Sequence, residues 1–234
     1  MARFLLVHGS GHGAWCWREV APRLAALGHE VAALDLPGSG DDKTPAAEVT
    51  LESYARAILA RLDAPGIVVG HSAGGFAITQ AAEIDPSNIT RLVYLCAYAP
   101  RPGAALTEMR REAPAQPLSG ALESSGDGHA YRFRDAALAA NLYQDCPPEA
   151  LALARARLGW QPIRPQSEPV AFTGRGAAVP RSYILCENDR TIPPAHQRGM
   201  ATGFAPADVH SLPTGHSPFF AAPGALAALL DRLA

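Results

Sequence analysis

Ser72 stands in "GHSAG" (70–74), directly after the apolar, β-branched run "IVV" (67–69). The spacing Gly-x-Ser-x-Gly between a strand and a helix is that of a nucleophile elbow. Small neighbours let a strained turn lift the hydroxyl clear of the sheet, and the helix that follows directs its N–H groups at whatever binds there. A serine hydroxyl attacks a carbonyl only when a base removes its proton, and imidazole is the side chain suited to that near neutral pH. The plainer alternative for Ser72 is a helix N-cap.

Among eight histidines, His216 is the best placed to be that base. It lies in "LPTGHSPFF" (212–220), after the last strand-like run and before the terminal helix, at the end of a parallel sheet where ligands bind. His71, inside the elbow, should point away from Ser72, and His8 and His12 in the first loop are explained by local hydrogen bonds. His29, His129, His196 and His210 fall in a turn, an insertion, a helix and a strand.

The imidazole needs an acid to hold its tautomer. "ILCENDRTIPP" (184–194) offers Glu187 and Asp189. Asp189 is preferred because it lies past the strand end, one helix–strand crossover before His216. Glu187 remains the alternative, and Asp35 is read as ordering the adjacent "PGSG" loop (37–40). The chain order Ser, Asp, His is the usual one for this elbow.

Charge on the oxygen of a tetrahedral intermediate needs donors. The glycine-rich turn "VHGSGHGAW" (7–15) follows the first strand, so backbone N–H groups of Ser10 and Ala73 can converge on one oxygen. Losing one such donor typically costs about 2.7–4 kcal/mol of transition-state stabilisation. The same turn lacks a Walker lysine and misses the last spacing of a dinucleotide fingerprint, so phosphate binding is rejected. The chemistry in view is acyl transfer, with no metal and no organic cofactor expected.

The elements that must position these residues follow from pattern. "FLLV" (4–7), "VAALDL" (31–36), "IVVG" (67–70), "RLVYLCA" (91–97), "RSYILCE" (181–187) and "DVHSL" (208–212) read as strands. Continuous apolarity, without alternation, predicts strands covered on both faces. Helices are expected at 15–27, 50–62, 73–84, 194–203 and 223–233. The β-α-β rhythm predicts a doubly wound, mostly parallel sheet of about six strands. Residues 101–178 break the rhythm and are read as a helical cap insertion over a core formed by 1–100 and 179–234. Tyr131, Phe133, Tyr143, Trp160 and Phe172 in that insertion offer apolar surface that wants burial.

Composition narrows the classes. Nearly half the residues (48%) are hydrophobic and 18% are charged, enough for a sizeable core and against disorder. A net charge of −2 excludes a general attraction to nucleic acid or anionic lipid. The opening apolar run is too short for a signal-peptide core or a membrane span. Cys16, Cys96, Cys146 and Cys186 show no C-x-x-C spacing; Cys96 and Cys186 sit inside apolar strand-like runs, where a buried free thiol is the usual reading, and a cytoplasmic protein is expected. A homodimer is left open.

Beyond these motifs the chain resembles the α/β-hydrolase superfamily, in particular the plant methylesterase and hydroxynitrile lyase family and its bacterial relatives. The resemblance covers nearly the whole chain and is carried by "LLVHGSGHGAWCWREVAPRLAALGHEVAALDLPGSG" (5–40), "VVGHSAGG" (68–75), "LVYLCAYAPRPG" (92–103), "NLYQDCPPE" (141–149) and "TGHSPFFAAP" (214–223). It implies a Ser72–Asp189–His216 triad, Ser10 and Ala73 N–H as oxyanion donors, and a cap at about 101–178. Two positions depart from the lyases, which carry threonine where Gly9 stands and lysine where Ser217 stands. Without that lysine a departing cyanide lacks its counter-charge. Methylesterases usually carry an apolar residue at the position of Ser217.

The reading is therefore a serine hydrolase of small, mostly apolar carboxylic esters, with Gly9, Tyr98, Tyr131, Phe133, Trp160 and Ser217 lining its substrate pocket. The rivals are a hydroxynitrile lyase-like or C–C bond hydrolase on the same residues, and a non-catalytic small-ligand receptor.

Overall fold

A computed structural model describes all of residues 1–234. Strand β1 (Arg3–Val7) leads through a 3-10 turn at Ala14–Trp17 to helix α1 (Ala21–Ala26) and β2 (Glu30–Leu34). The single helix expected over 15–27 is thus split. Pro22 removes a backbone donor and is tolerated only in a first turn, so the chain restarts there as α1. Helix α2 (Leu51–Leu59), β3 (Gly66–His71), α3 (Gly74–Ile84) and β4 (Ile89–Leu95) complete the first half.

An insertion then holds α4 (Leu106–Arg111), β5 (Leu122–Ser124), β6 (Ala130–Phe133), α5 (Asp135–Ala137) with a π-turn at Leu138–Leu142, α6 (Pro148–Arg157), β7 (Gln161–Pro162) and α7 (Arg164–Ser167). The chain closes with β8 (Arg181–Cys186), α8 (Pro194–Ala201), β9 (Val209–Leu212), α9 (Pro218–Ala221) and α10 (Pro223–Asp231).

The main sheet is six-stranded and parallel throughout, in the order β2-β1-β3-β4-β8-β9. Because β2 lies on one side of β1 and β3 on the other, the order reverses there. The carboxyl ends of β1 and β3 flank the crevice where ligands bind in open α/β sheets. Helices cover both faces. Phe4, Leu6, Val69, Val93 and Ile184 pack with Leu24 of α1 and Leu226 and Leu230 of α10. Leu5, Val7, Val68, Leu92 and Tyr183 turn the other way, onto Ala55 and Ile58 of α2 and Ile78 and Ala81 of α3. Each fully buried Leu or Ile contributes about 1.5–3 kcal/mol, which explains why these strands show no polar alternation.

Strand ends depart from expectation for local reasons. β2 stops at Leu34, because Asp35 turns to accept N–H bonds from Ala14 (2.6 Å) and Asp41 (3.0 Å), tying the first loop to the "PGSG" turn. β4 stops at Leu95, because Cys96 has a φ of +35°. The insertion is not purely helical: β5, β6 and β7 form a three-stranded antiparallel sheet. Its aromatics divide. Tyr131 and Tyr143 are buried, whereas Trp160 and Phe172 remain 38% and 40% exposed. The Arg132 guanidinium lies 4.8 Å over the Trp160 ring and shields it instead. All four cysteines are free, and no helix is long and apolar enough to cross a membrane.

Candidate active site

β3 ends and α3 begins within three residues, and Ser72 takes the turn with a φ of +54°. That left-handed conformation is rare for a side-chain-bearing residue and is held only by surrounding bonds. The Ser72 N–H donates to Leu95 O (3.2 Å), while its carbonyl accepts from Gly75 N–H (3.2 Å) and Tyr98 N–H (3.1 Å). A Cβ on Gly75 would stand 2.1 Å from the Tyr98 carbonyl oxygen, so glycine alone permits this approach of α3 to the loop after β4.

The loop between β9 and α9 brings His216 over the elbow. Its Nε2 lies 3.1 Å from Ser72 Oγ, and its Nδ1 lies 2.8 Å from Asp189 Oδ2. A proton on Nδ1 donates to the carboxylate, which leaves Nε2 to accept the serine hydroxyl. Asp189 is itself held: Oδ1 accepts the N–H groups of Thr191 (2.7 Å) and Ile192 (2.9 Å), and Oδ2 also accepts Gln197 Nε2 (2.9 Å). Glu187, the rival acid, is exposed and paired to Arg198 at 2.6 Å.

Gln197 on α8 was not foreseen. It is fully buried, its Oε1 accepts Cys186 N–H (3.1 Å), and its Nε2 bonds Ile192 O (2.8 Å) as well as Asp189. Only its place among polar residues on a short helix marked it in the sequence, and that signal is generic.

His71 points away from the serine. Its Nε2 donates to His216 O at 2.8 Å, fastening the histidine loop to the end of β3. His12 bonds Ser10 O through Nδ1 (2.9 Å) and accepts the Tyr143 hydroxyl at Nε2 (2.8 Å). Burial pushes the His71 imidazole well below its usual range and His12 down to about 3, so both are neutral spacers. His71, Cys96 and His216 bring potential ligand atoms within 4.8 Å of one another. Each also has a partner within the protein: His71 Nε2 the His216 carbonyl, with His71 Nδ1 left unpartnered, His216 Nδ1 Asp189, and the Cys96 thiol, pushed up by burial, His216 O at 3.7 Å.

The N–H groups of Ser10 and Ala73 make no hydrogen bond within the protein. Ser10 is held by its side chain, whose Oγ accepts Gln166 Nε2 (2.8 Å), and Gln166 Oε1 accepts the Tyr131 hydroxyl (3.1 Å). A β-carbon at Gly9 would meet Ser72 Cβ at 2.7 Å and His71 Nδ1 at 2.8 Å, so the first loop lies directly against the elbow.

Ser72 and His216 face a cavity of about 400 Å³ whose apolar wall includes Tyr98, Leu106, Tyr131, Phe133 and Ile192. Three expected lining residues lie elsewhere. Gly9 borders a smaller cavity behind Ser10 and Ala73. Trp160 is on the outer surface under Arg132, and Ser217 is fully buried at the start of α9, off the cavity wall. An aromatic in an insertion predicts burial but not the side on which it buries, and a residue after a loop histidine need not share its direction.

The model of the alpha/beta hydrolase family matches residues 4–229. The chain belongs to that family. The hydrolase is similar to Methylesterase 3 of Arabidopsis thaliana, 32% identical over 98% of this chain and 95% of that protein. In three dimensions it is similar to a pyrethroid hydrolase from Sphingobium faniae JZ-2, with a TM-score of 0.87 and 29% identity over 99% of this chain and 96% of that one. It is also similar to a methylesterase from Arabidopsis, with a TM-score of 0.86 and 26% identity over 100% and 98% of the two chains. In this hydrolase the geometry can move one proton from Ser72 Oγ to His216 Nε2 while Asp189 offsets the charge, beneath a mostly apolar wall.

Proposed function

We propose that this carboxylic ester hydrolase cleaves small esters, apolar around the carbonyl, through an acyl-enzyme on Ser72. Ser72 Oγ attacks the carbonyl carbon as His216 Nε2 takes its proton, and Asp189 balances the imidazolium. The N–H groups of Ser10 and Ala73 receive the oxyanion. Collapse breaks the bond to the alcohol oxygen, to which His216 returns the proton. Water, deprotonated by His216, then attacks the acyl-enzyme, and Ser72 leaves with the proton restored. Residues 101–178 act as the cap over a core of 1–100 and 179–234, keeping bulk water off this sequence.

The observation that carries the reading is the relay of contacts at 3.1 Å and 2.8 Å linking Ser72, His216 and Asp189 under that wall. The methylesterase and pyrethroid hydrolase relatives support the reaction class. Cyanohydrin cleavage is disfavoured, because a β-carbon at position 9 would stand 2.7 Å from Ser72 Cβ, and no lysine follows His216. A receptor role leaves the relay without a purpose.

The test is hydrolysis of p-nitrophenyl butyrate, paired with labelling by a fluorophosphonate. Ser72→Ala is expected to lower kcat by about 10⁴–10⁶-fold and to abolish labelling. A variant that still turns over within tenfold of the parent, or a parent that resists the label, ends the proposal.

A further inference from the structure

One charge near the elbow has no partner. Arg3, Arg91 and Arg110 are the three arginines neither exposed nor fully buried. Arg3 holds Glu30 at 2.8 Å and Arg91 holds Asp208 at 2.9 Å. The Arg110 guanidinium, on α4, has no carboxylate within 4.0 Å and no hydrogen bond within the protein. Exposed arginines of the same insertion are either paired, Arg132 with Glu123 at 3.1 Å and Arg155 with Asp135 at 2.6 Å, or, as Arg111 and Arg134, solvated at the surface. The acids nearest Arg110 along the chain are engaged elsewhere: Glu108 accepts Ala105 N–H at 2.8 Å, and Glu112 holds Arg101.

Position gives this charge its meaning. Arg110 lines the inner cavity with Ser72 and His216, and it also lines an outer cavity of about 570 Å³. Tyr98, Leu118 and Thr191 border both, so Arg110 stands where the two join. No aspartate or glutamate lines either, and Arg110 is the only arginine or lysine on their walls. A partly desolvated guanidinium is costly unless an anion meets it, and its planar fork matches a carboxylate. Tyr98 adds an O–H on the same walls, and burial raises its phenol, keeping it protonated.

We infer that the preferred substrates are esters bearing a carboxylate remote from the scissile carbonyl, and that Arg110 selects them by binding that carboxylate at the junction of the two cavities. This deepens the ester-hydrolase reading and rests on it. The carbonyl region of such a substrate faces apolar wall, and its far end meets the guanidinium.

Two measurements test it. The first is the ratio of kcat/KM for p-nitrophenyl hydrogen glutarate and hydrogen adipate against the neutral p-nitrophenyl 5-methylhexanoate. The parent is expected to favour the anionic esters about tenfold or more, and Arg110→Gln to lower the ratio about 10- to 100-fold, mainly through KM. Arg110→Lys restores part of it, and added salt shrinks it. The second is calorimetric binding of monomethyl adipate to Ser72→Ala with Arg110 present or replaced by Gln, which needs no turnover. Affinity is expected to fall about tenfold or more with the guanidinium gone. An unchanged ratio, or equal affinity in the two proteins, overturns the assignment. Failed labelling of Ser72 with binding still dependent on Arg110 would instead overturn the hydrolase mechanism alone.

Discussion

A β-carbon is enough to separate the first loop from the elbow. With Ser72 Cβ at 2.7 Å and His71 Nδ1 at 2.8 Å from its position, an alanine at residue 9 must push Ser10 or Ser72 aside. Misplacement of reacting groups by about an ångström costs on the order of 10²-fold in rate. Gly9→Ala is therefore expected to lower kcat on a neutral p-nitrophenyl ester by about 10- to 100-fold with the circular dichroism spectrum kept; a kcat equal to that of the parent would show that the loop yields freely. The meeting of Ser72, Asp189 and His216 was legible because acyl-transfer chemistry would demand particular residue types at strand ends in a particular order. Gln166, Gln197 and Arg110 were not. Each is a lone polar residue whose partner, or lack of one, arises only when distant segments meet, and neither composition nor periodicity registers that. Trp160 and Ser217 misled for the converse reason, since residue type predicts burial without direction.

Among the elements, the parallel strands announced themselves, because cover on both faces forces unbroken apolar runs such as "FLLV" and "IVV". The insertion's strands did not, being two to four residues long and partly polar, too short for a period of two to show. The most demanding junction is that of β3, the elbow and α3. The Tyr98 carbonyl oxygen would lie 2.1 Å from a β-carbon on Gly75, and because that oxygen is backbone, relief requires the main chain to shift. Gly75→Ala is expected to destabilise the protein by about 1–3 kcal/mol or more, read as a lower midpoint in urea. A midpoint within error of the parent would mean that α3 shifts without cost.

For the molecule as a whole, buried imidazoles set the response to acid. His8, His12 and His71 are each pushed below the usual range chiefly by burial, His12 to about 3. In the unfolded chain each takes up a proton near pH 6.5. For His12 the unfolded state therefore binds, between about 6.5 and about 3, a proton that the folded state refuses, and stability falls as pH falls through that window; His8 and His71 act in the same direction. Above about 6.5 the contribution is complete. Urea midpoints are expected to drop steadily from about pH 7 to about pH 4, and His12→Asn to flatten that slope by roughly one proton. Parallel slopes in variant and parent would remove His12 from the account.

The amide of Gln166 joins α7 to the hydroxyl of Ser10, and the same amide is gripped by Tyr131. An insertion exchanged for that of a relative would arrive without this latch unless the glutamine came with it. Such chimaeras would then differ in how fast they turn over as well as in what they admit, since grafting one surface would loosen a fixture of the other.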